Sequence, residues 1–542
     1  MLLASGREGF LGWFAGWQRG RRWGRYLAYD RHWEQVGGDF GATGARKKDQ
    51  ATQDFDDRLD HDEEYDFDDP FDEGYACLKA NWAALSGQDQ FADMVEGNHV
   101  MEKRLMRSTL FVLGLLVSTE AASQTLPQPL QDDSFNVTNL DEAKLGQLLF
   151  YDPILSGNRN IACATCHHPR LGTADGLALG IGEGGIGLGP DRRIDMHNPP
   201  KERIPRNAPA LFNLGAKEFT AMFHDGRLEI DESRKDGVRT PMGDDMVAGF
   251  ASLLSAQTMF PVLSRDEMAG GYRENDVGRA VRRGLIAGDN GAWNLLAQRV
   301  AGIPQYARQF TAVYPDIDGP DDIAFTDVSN AIAVFMAQEW RADQSPFDAV
   351  LRGETVLTGL AADGQQLFYG GAGCADCHSG ALQTDHQFHA MGAPQIGPGK
   401  AASFEDHQRD EGRFRVTGNT ADLYAFRTPS LRNVQWTAPY GHAGAHRDLA
   451  SFIRDHVDPV AGLKRFERSQ VDLLDPTDSD FAVMEDTAQV AAIGAAVKRD
   501  PVPLSANEVE ALVAFLNSLT DTASLAGRLG IPESVPSGLP VP

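Results

Sequence analysis

Two five-residue stretches constrain this chain more than anything else in it. Cys163-Ala164-Thr165-Cys166-His167 and Cys374-Ala375-Asp376-Cys377-His378 repeat one pattern 211 residues apart. On a helical turn, residues at i, i+3 and i+4 share a face. Two thiols so placed can each bond a vinyl group of one haem, and the histidine beside them can ligate its iron. A zinc site needs four converging ligands, and a thioredoxin-like redox pair needs a βαβ setting. Neither calls for a histidine directly after the second cysteine, twice. The pattern reads as two covalently attached haem c groups, with His167 and His378 as iron ligands. The fifth and last cysteine is Cys77, and a disulfide scaffold would need more of them in a shorter chain.

The 542 residues are enough for two or three domains of roughly 100–200 residues each. Leu140, Leu145, Leu148 and Leu149 follow helical spacing within 140–150. A second apolar helix is expected over 360–368, running up to the second cysteine pair, and an amphipathic one over 328–340. Ser505 with Glu508 forms a capping box ahead of a closing helix that reaches Leu519. Strand-type alternation is scarce. The expectation is a mainly α fold with two haem domains in tandem, 124–341 and 342–530. Residues 342–354 read as the linker between them, with a turn at Ser345-Pro346. The Gly-rich stretch 180–190 lacks a Walker lysine and the GxGxxG turn, so it reads as a loop and not a nucleotide site.

The first hundred residues do not read as a folded domain. Twelve of the twenty residues 54–73 are acidic, too charged to bury a face. A secretory signal follows over 101–123, from Met101 or Met106. Lys103, Arg104 and Arg107 form its basic region, Leu110 to Val117 its apolar core, and Ala121-Ala122-Ser123 its cleavage site. Its apolar run is far short of the roughly 20 residues that span a bilayer, so no stable membrane span is expected. Residues 1–100 then read as an upstream extension, disordered or outside the natural product, and the mature protein as exported to the periplasm. The net charge of −27 argues against nucleic acid and favours a basic partner.

Around the CxxCH motifs lie further stretches: LGQLLFYDPILSG, PRNAPAL (205–211) and HDGR (224–227) about the first, then LFYGGAGCADCHSG, FRTPSLRNV (426–434) and TAPYGHAG (437–444) about the second. From about Leu145 to Leu519 the chain resembles the bacterial di-haem cytochrome c peroxidases and their MauG-type relatives. The resemblance implies two cytochrome c-like domains whose haems face each other across an interface.

In that family the first haem is the peroxidatic one, with a Gln and a Glu ten residues apart on its open face. Gln257 and Glu267 stand here at that separation, flanking Pro261, with Met268 following. The chemistry suits them, since cleaving peroxide requires a proton moved between its oxygens so that water can leave. A carboxylate can carry that proton and an amide can orient the peroxide. The second haem is an electron relay whose far-side ligand lies fourteen residues after the histidine of PYxH; counting from His442 gives His456. Peroxidases of the family have Met there and MauG has Tyr. A His/His iron is lower in potential than His/Met, other things equal. His446 and Met391 are rivals for the position. A calcium ion between the haems, held by an Asn side chain and two backbone carbonyls, maps onto Asn207, Thr437 and Pro439, oxygen donors that suit a hard cation.

The chain also departs from the family. His224 replaces the Trp before DGR, and imidazole is harder to oxidise than indole. Residues 180–190 contain no His to close the first iron at rest, which implies an open iron unless His197 substitutes. His168 is expected at the pocket edge. Residues 228–256 are additional and have no assigned role.

Three functions are compatible with these features. The first is a periplasmic di-haem peroxidase that reduces hydrogen peroxide with electrons from a small cytochrome c or a cupredoxin. The second is a MauG-like oxidase of a protein or organic substrate, and the third a plain electron-transfer cytochrome. The Gln257/Glu267 pair argues against the third.

Overall fold

The computed structural model describes residues 126–234, 237–401 and 405–542. The acidic extension, the signal segment and Cys77 lie outside the described residues. The described chain is mainly helical, and no strand in it exceeds three residues.

Two helix pairs frame the two cysteine motifs. Leu140–Tyr151, N-capped by the Asn139 side chain, packs across Phe325–Glu339. Leu360–Phe368 packs across Ala506–Asn517. Each crossing is a glycine seated on a carbonyl. A Cβ at Gly146 would strike the Ala331 carbonyl and the Phe335 side chain; one at Gly364 would strike the Ala511 carbonyl and the Phe515 side chain. The same contact is thus built twice, from LGQLLFY and from DGQQLFY. In the first half Phe150, Phe335 and Trp340 pack within 5.1–5.3 Å, Trp340 edge to face with both phenylalanines. In the second, Phe515 meets Phe347 edge to face at 5.2 Å and Phe368 at a tilt at 4.9 Å. These rings anchor two separate apolar cores.

The expected helices are present with small shifts: the 328–340 helix begins at Phe325, and the closing helix runs from Ala506 behind the Ser505–Glu508 capping box. The stretch 342–354 is more than a linker. Ser345 caps a helix, Pro346–Leu351, whose Asp348 is buried and paired with Arg432 at 2.6 Å. Beyond residue 521 the chain returns to the first core, where Leu525, Leu529, Ile531, Val535, Leu539 and Val541 pack. Glu339, 1% exposed, fixes this return by accepting from the amides of Arg528, Leu529 and Gly530 at 2.6–2.9 Å. The additional residues 228–256 supply two strands of a small antiparallel sheet, Leu228–Ile230 and Val238–Arg239. Glu229 on that sheet pairs with Arg413 at 2.6 Å, joining it to the second half.

Candidate active site

Both CxxCH histidines are held in the same way. In each motif the His amide donates back to the first cysteine's carbonyl, His167 to Cys163 at 3.0 Å and His378 to Cys374 at 2.9 Å. His167 Nδ1 donates to the Thr173 carbonyl, and His378 Nδ1 to the Gln383 carbonyl, both at 3.0 Å. The two acceptors are buried residues with positive φ, +61° and +50°, so the loop folds back under each ring. Committing Nδ1 as the donor fixes the tautomer and leaves the Nε2 lone pair for a metal. Desolvation lowers the pKa of both imidazoles and keeps them neutral, as a ligand must be.

A cavity of about 2160 Å³, its open mouth included, runs from Cys374, Cys377 and His378 past His224 and Phe426 to Phe223 and Gln257. Across it, His456 ends the Leu449–His456 helix and faces His378, with ring centroids 6.3 Å apart. That gap is wide enough for one metal ion between the two imidazoles, at bonds of about 2 Å. Phe452 stacks on His456 at 5.1 Å. Desolvation, with His378 nearby, holds His456 down to about 3. His446, the rival in sequence, has one ring nitrogen engaged elsewhere. It is 2% exposed, and its Nε2 meets Asp455 at 3.0 Å. Met391 lines the same cavity.

Gln257 lies in the last turn of the Leu253–Thr258 helix, and its Oε1 is buried without a partner on the cavity wall. Glu267 lies on a single π-helical turn, Arg265–Ala269, capped by Ser264; such turns recur at functional sites. It is not among the cavity-lining residues but stands on the Cys166 side. Burial first, then the charges of Asp175 and Glu267, push that thiol up to about 12. Asn207, Thr437 and Pro439 all line the cavity. Asn207 spends its amide nitrogen on the Leu177 and Ala178 carbonyls (2.7 and 3.2 Å), which leaves Oδ1 as an acceptor.

A model of the di-haem cytochrome c peroxidase family matches residues 141–356. The methylamine utilization protein MauG of Methylorubrum extorquens is 29% identical over 331 residues, 61% of this chain and 72% of that protein. The cytochrome c551 peroxidase of Nitrosomonas europaea is 27% identical over 356 residues, 65% of this chain and 84% of that protein. The likeness read from the motifs thus extends to these relatives and, over residues 141–356, to the family model. The chain is an oxidoreductase with two haem c groups. The donor sets fit those groups: paired cysteines, a neutral imidazole with its Nδ1 spent, and an apolar cavity at the joint. No helix among the described residues is long and apolar enough to cross a membrane.

Two histidines sit elsewhere than the family resemblance suggested. His197 has a side chain 98% exposed beside Asp195, so it is no substitute ligand in this conformation. His168 is 1% exposed and caps the turn after the first motif, so it is not at a pocket edge. His224 lines the same cavity, and desolvation first, then Arg206 and His442, hold it down to about 3.

Sequence reasoning missed a core of charge and rings at the same joint. Arg206 donates to Asp225 at 2.7 Å and, as a fork, to Asp410 at 2.6 and 2.8 Å, all three side chains being buried. Beside it, His442 stacks on Phe426 at 3.8 Å, and neither of its ring nitrogens has a partner. HDGR flagged Asp225; nothing near Asp410 in sequence marks it. Among the described residues Cys377, Asp385 and His389 also cluster within metal-ligating reach, but the thiol is the one a haem vinyl group takes.

Proposed function

We propose that this protein is a periplasmic di-haem peroxidase. It reduces hydrogen peroxide to water with electrons from a small soluble redox protein, a cytochrome c or a cupredoxin. The observation that carries this reading is the buried, unpartnered Gln257 Oε1 on the cavity wall. A buried amide oxygen without a partner is costly unless a ligand completes it.

Bound haem supplies the electron transfer: one peroxide, two electrons and two protons give two waters. His167 holds the first haem, and Gln257 orients the peroxide through its amide. Glu267 takes a proton from one peroxide oxygen and returns it to the other, so that the leaving group departs as water. His378 and His456 would hold the second haem, which would relay the donor's electrons. Arg427 lines the cavity, where desolvation pushes it down to about 10, and its charge would suit a haem propionate. Asn207 Oδ1 with the Thr437 and Pro439 carbonyls would hold calcium between the two groups. The test is stopped-flow peroxide cleavage by the holoprotein with a reduced small cytochrome as donor. Wild-type turnover that Glu267→Gln abolishes supports the reading; a protein that binds peroxide without consuming the donor's electrons sinks it.

A second reading, a MauG-like oxidase of a protein or organic substrate, draws on the His378–His456 pair. A low-potential relay accepts electrons poorly from a high-potential donor. Peroxide-dependent oxidation of an added substrate, with no turnover of small cytochromes or cupredoxins, would favour it.

A further inference from the structure

Residues 180–190 contain six glycines in eleven positions, a composition with high chain entropy when free. This loop is nevertheless tied along its length. The Arg192 guanidinium, 4% exposed, lies inside it and donates to three backbone carbonyls: Nε to Ile181, Nη2 to Gly182 at 2.5 Å and Nη1 to Gly187 at 2.7 Å. Pairing of Gly185–Ile186 with Arg193–Ile194 closes the hairpin around it. On the outer side Glu183 accepts from Asn158 and Asn160 at 2.9 and 2.8 Å. The clamped loop then rests on the π-helical turn that carries Glu267. The Glu183 amide donates to the Asp266 carbonyl at 2.8 Å, and a Cβ at Gly182 would lie 2.7 Å from Glu267 Cα.

We infer that Arg192 is a positioning residue for the first-haem pocket: it makes the glycine loop a fixed wall against the backbone of Glu267 and so sets where that carboxyl stands. The loop is then a built part of the pocket. Only a guanidinium does this, because its planar fork presents donors in three directions at once. Lysine brings the charge to one point and leaves buried carbonyls without a donor. The inference rests on the peroxidase reading for what Glu267 does, but not for what Arg192 holds.

The test uses the holoprotein with both haems attached and cyanide as the probe. Hydrogen cyanide must lose a proton to bind ferric haem, so its capture rate reads the pocket base without turnover. Arg192→Lys is expected to slow cyanide capture and peroxide cleavage alike by about a hundredfold, the scale of a small misplacement of a catalytic group. The spectrum of the second haem stays unchanged. Amide exchange across 180–192 accelerates, and non-denaturing guanidinium restores part of the rate to Arg192→Ala. Wild-type cyanide capture in Arg192→Lys overturns the inference. So does a loss that guanidinium does not restore and that comes with loss of haem. Arg192-dependent cyanide capture in a protein that never turns over peroxide supports the positioning and sinks the peroxidase reading instead.

Discussion

His378 and His456 face each other with ring centroids 6.3 Å apart, one from a CxxCH turn and one from the last residue of a helix that begins 71 positions later. The pair predicts a six-coordinate, low-spin second haem. His456→Gly should turn that haem high-spin in the EPR spectrum while leaving the first haem's signal as it was. His456→Met should raise its potential on the order of 0.1 V, a modest part of the about 0.8 V that axial ligands span. An unchanged spectrum in the glycine variant would place the ligand elsewhere, with Met391 as the next residue to change.

Glu267 stands on its π-helical turn beside the first motif, and its role as proton carrier makes a kinetic claim. Glu267→Gln keeps the shape and removes the base. Both haems should remain attached, and peroxide cleavage should fall by about two orders of magnitude or more. Single-turnover mixing with peroxide separates this from slow electron delivery. Wild-type cleavage in the variant would remove Glu267 from the mechanism.

The Arg206–Asp225–Asp410 triad makes stability depend on pH in a definite direction. Despite burial, the charge of Arg206 holds both carboxyls well below the ordinary carboxylate range. A folded-state pKa below the unfolded one contributes stability that is fully present above the unfolded value, about 3.9 for Asp. That contribution is lost as pH falls further. Asp410→Asn should therefore cost about 3–5 kcal/mol at neutral pH, because Arg206 stays buried with one partner gone. The cost should shrink as pH falls below about 4. Denaturant unfolding of the holoprotein at both pH values checks the sign; a cost that grows in acid would contradict the assignment.

The elements legible in the amino-acid sequence are those carried by local signals. The helical pattern at Leu140 and Leu360, the Ser505–Glu508 box and both CxxCH turns each lie within a few residues. The rest depends on partners distant along the chain. Asp410 gains its meaning from Arg206, 204 positions away. Asp348 belongs to a capped helix rather than to the expected linker because Arg432 meets it across the second core. The tail beyond residue 521 packs on the first core because Glu339 gathers three of its amides. The Arg192 clamp is hidden for a different reason: its acceptors are backbone carbonyls, which no side-chain pattern reveals.

The duplicated glycine crossing gives the last prediction, and it tests whether the two halves hold their haems separately. Gly146 sits against the Ala331 carbonyl and Gly364 against the Ala511 carbonyl. Both obstacles are helix backbone, so neither can swing aside as a flexible side chain would. Alanine at either position must push the helix pair apart, an overpacking that typically costs about 1–3 kcal/mol. Each pair carries its own cysteine motif at one end: the Leu140 helix leads to Cys163 and the Leu360 helix to Cys374. Gly146→Ala should therefore lower the melting temperature and broaden the EPR signal of the first haem alone. Gly364→Ala should do the same to the second. If either variant perturbs both haems equally, the two crossings act as one cooperative unit, joined through the buried Arg206 triad.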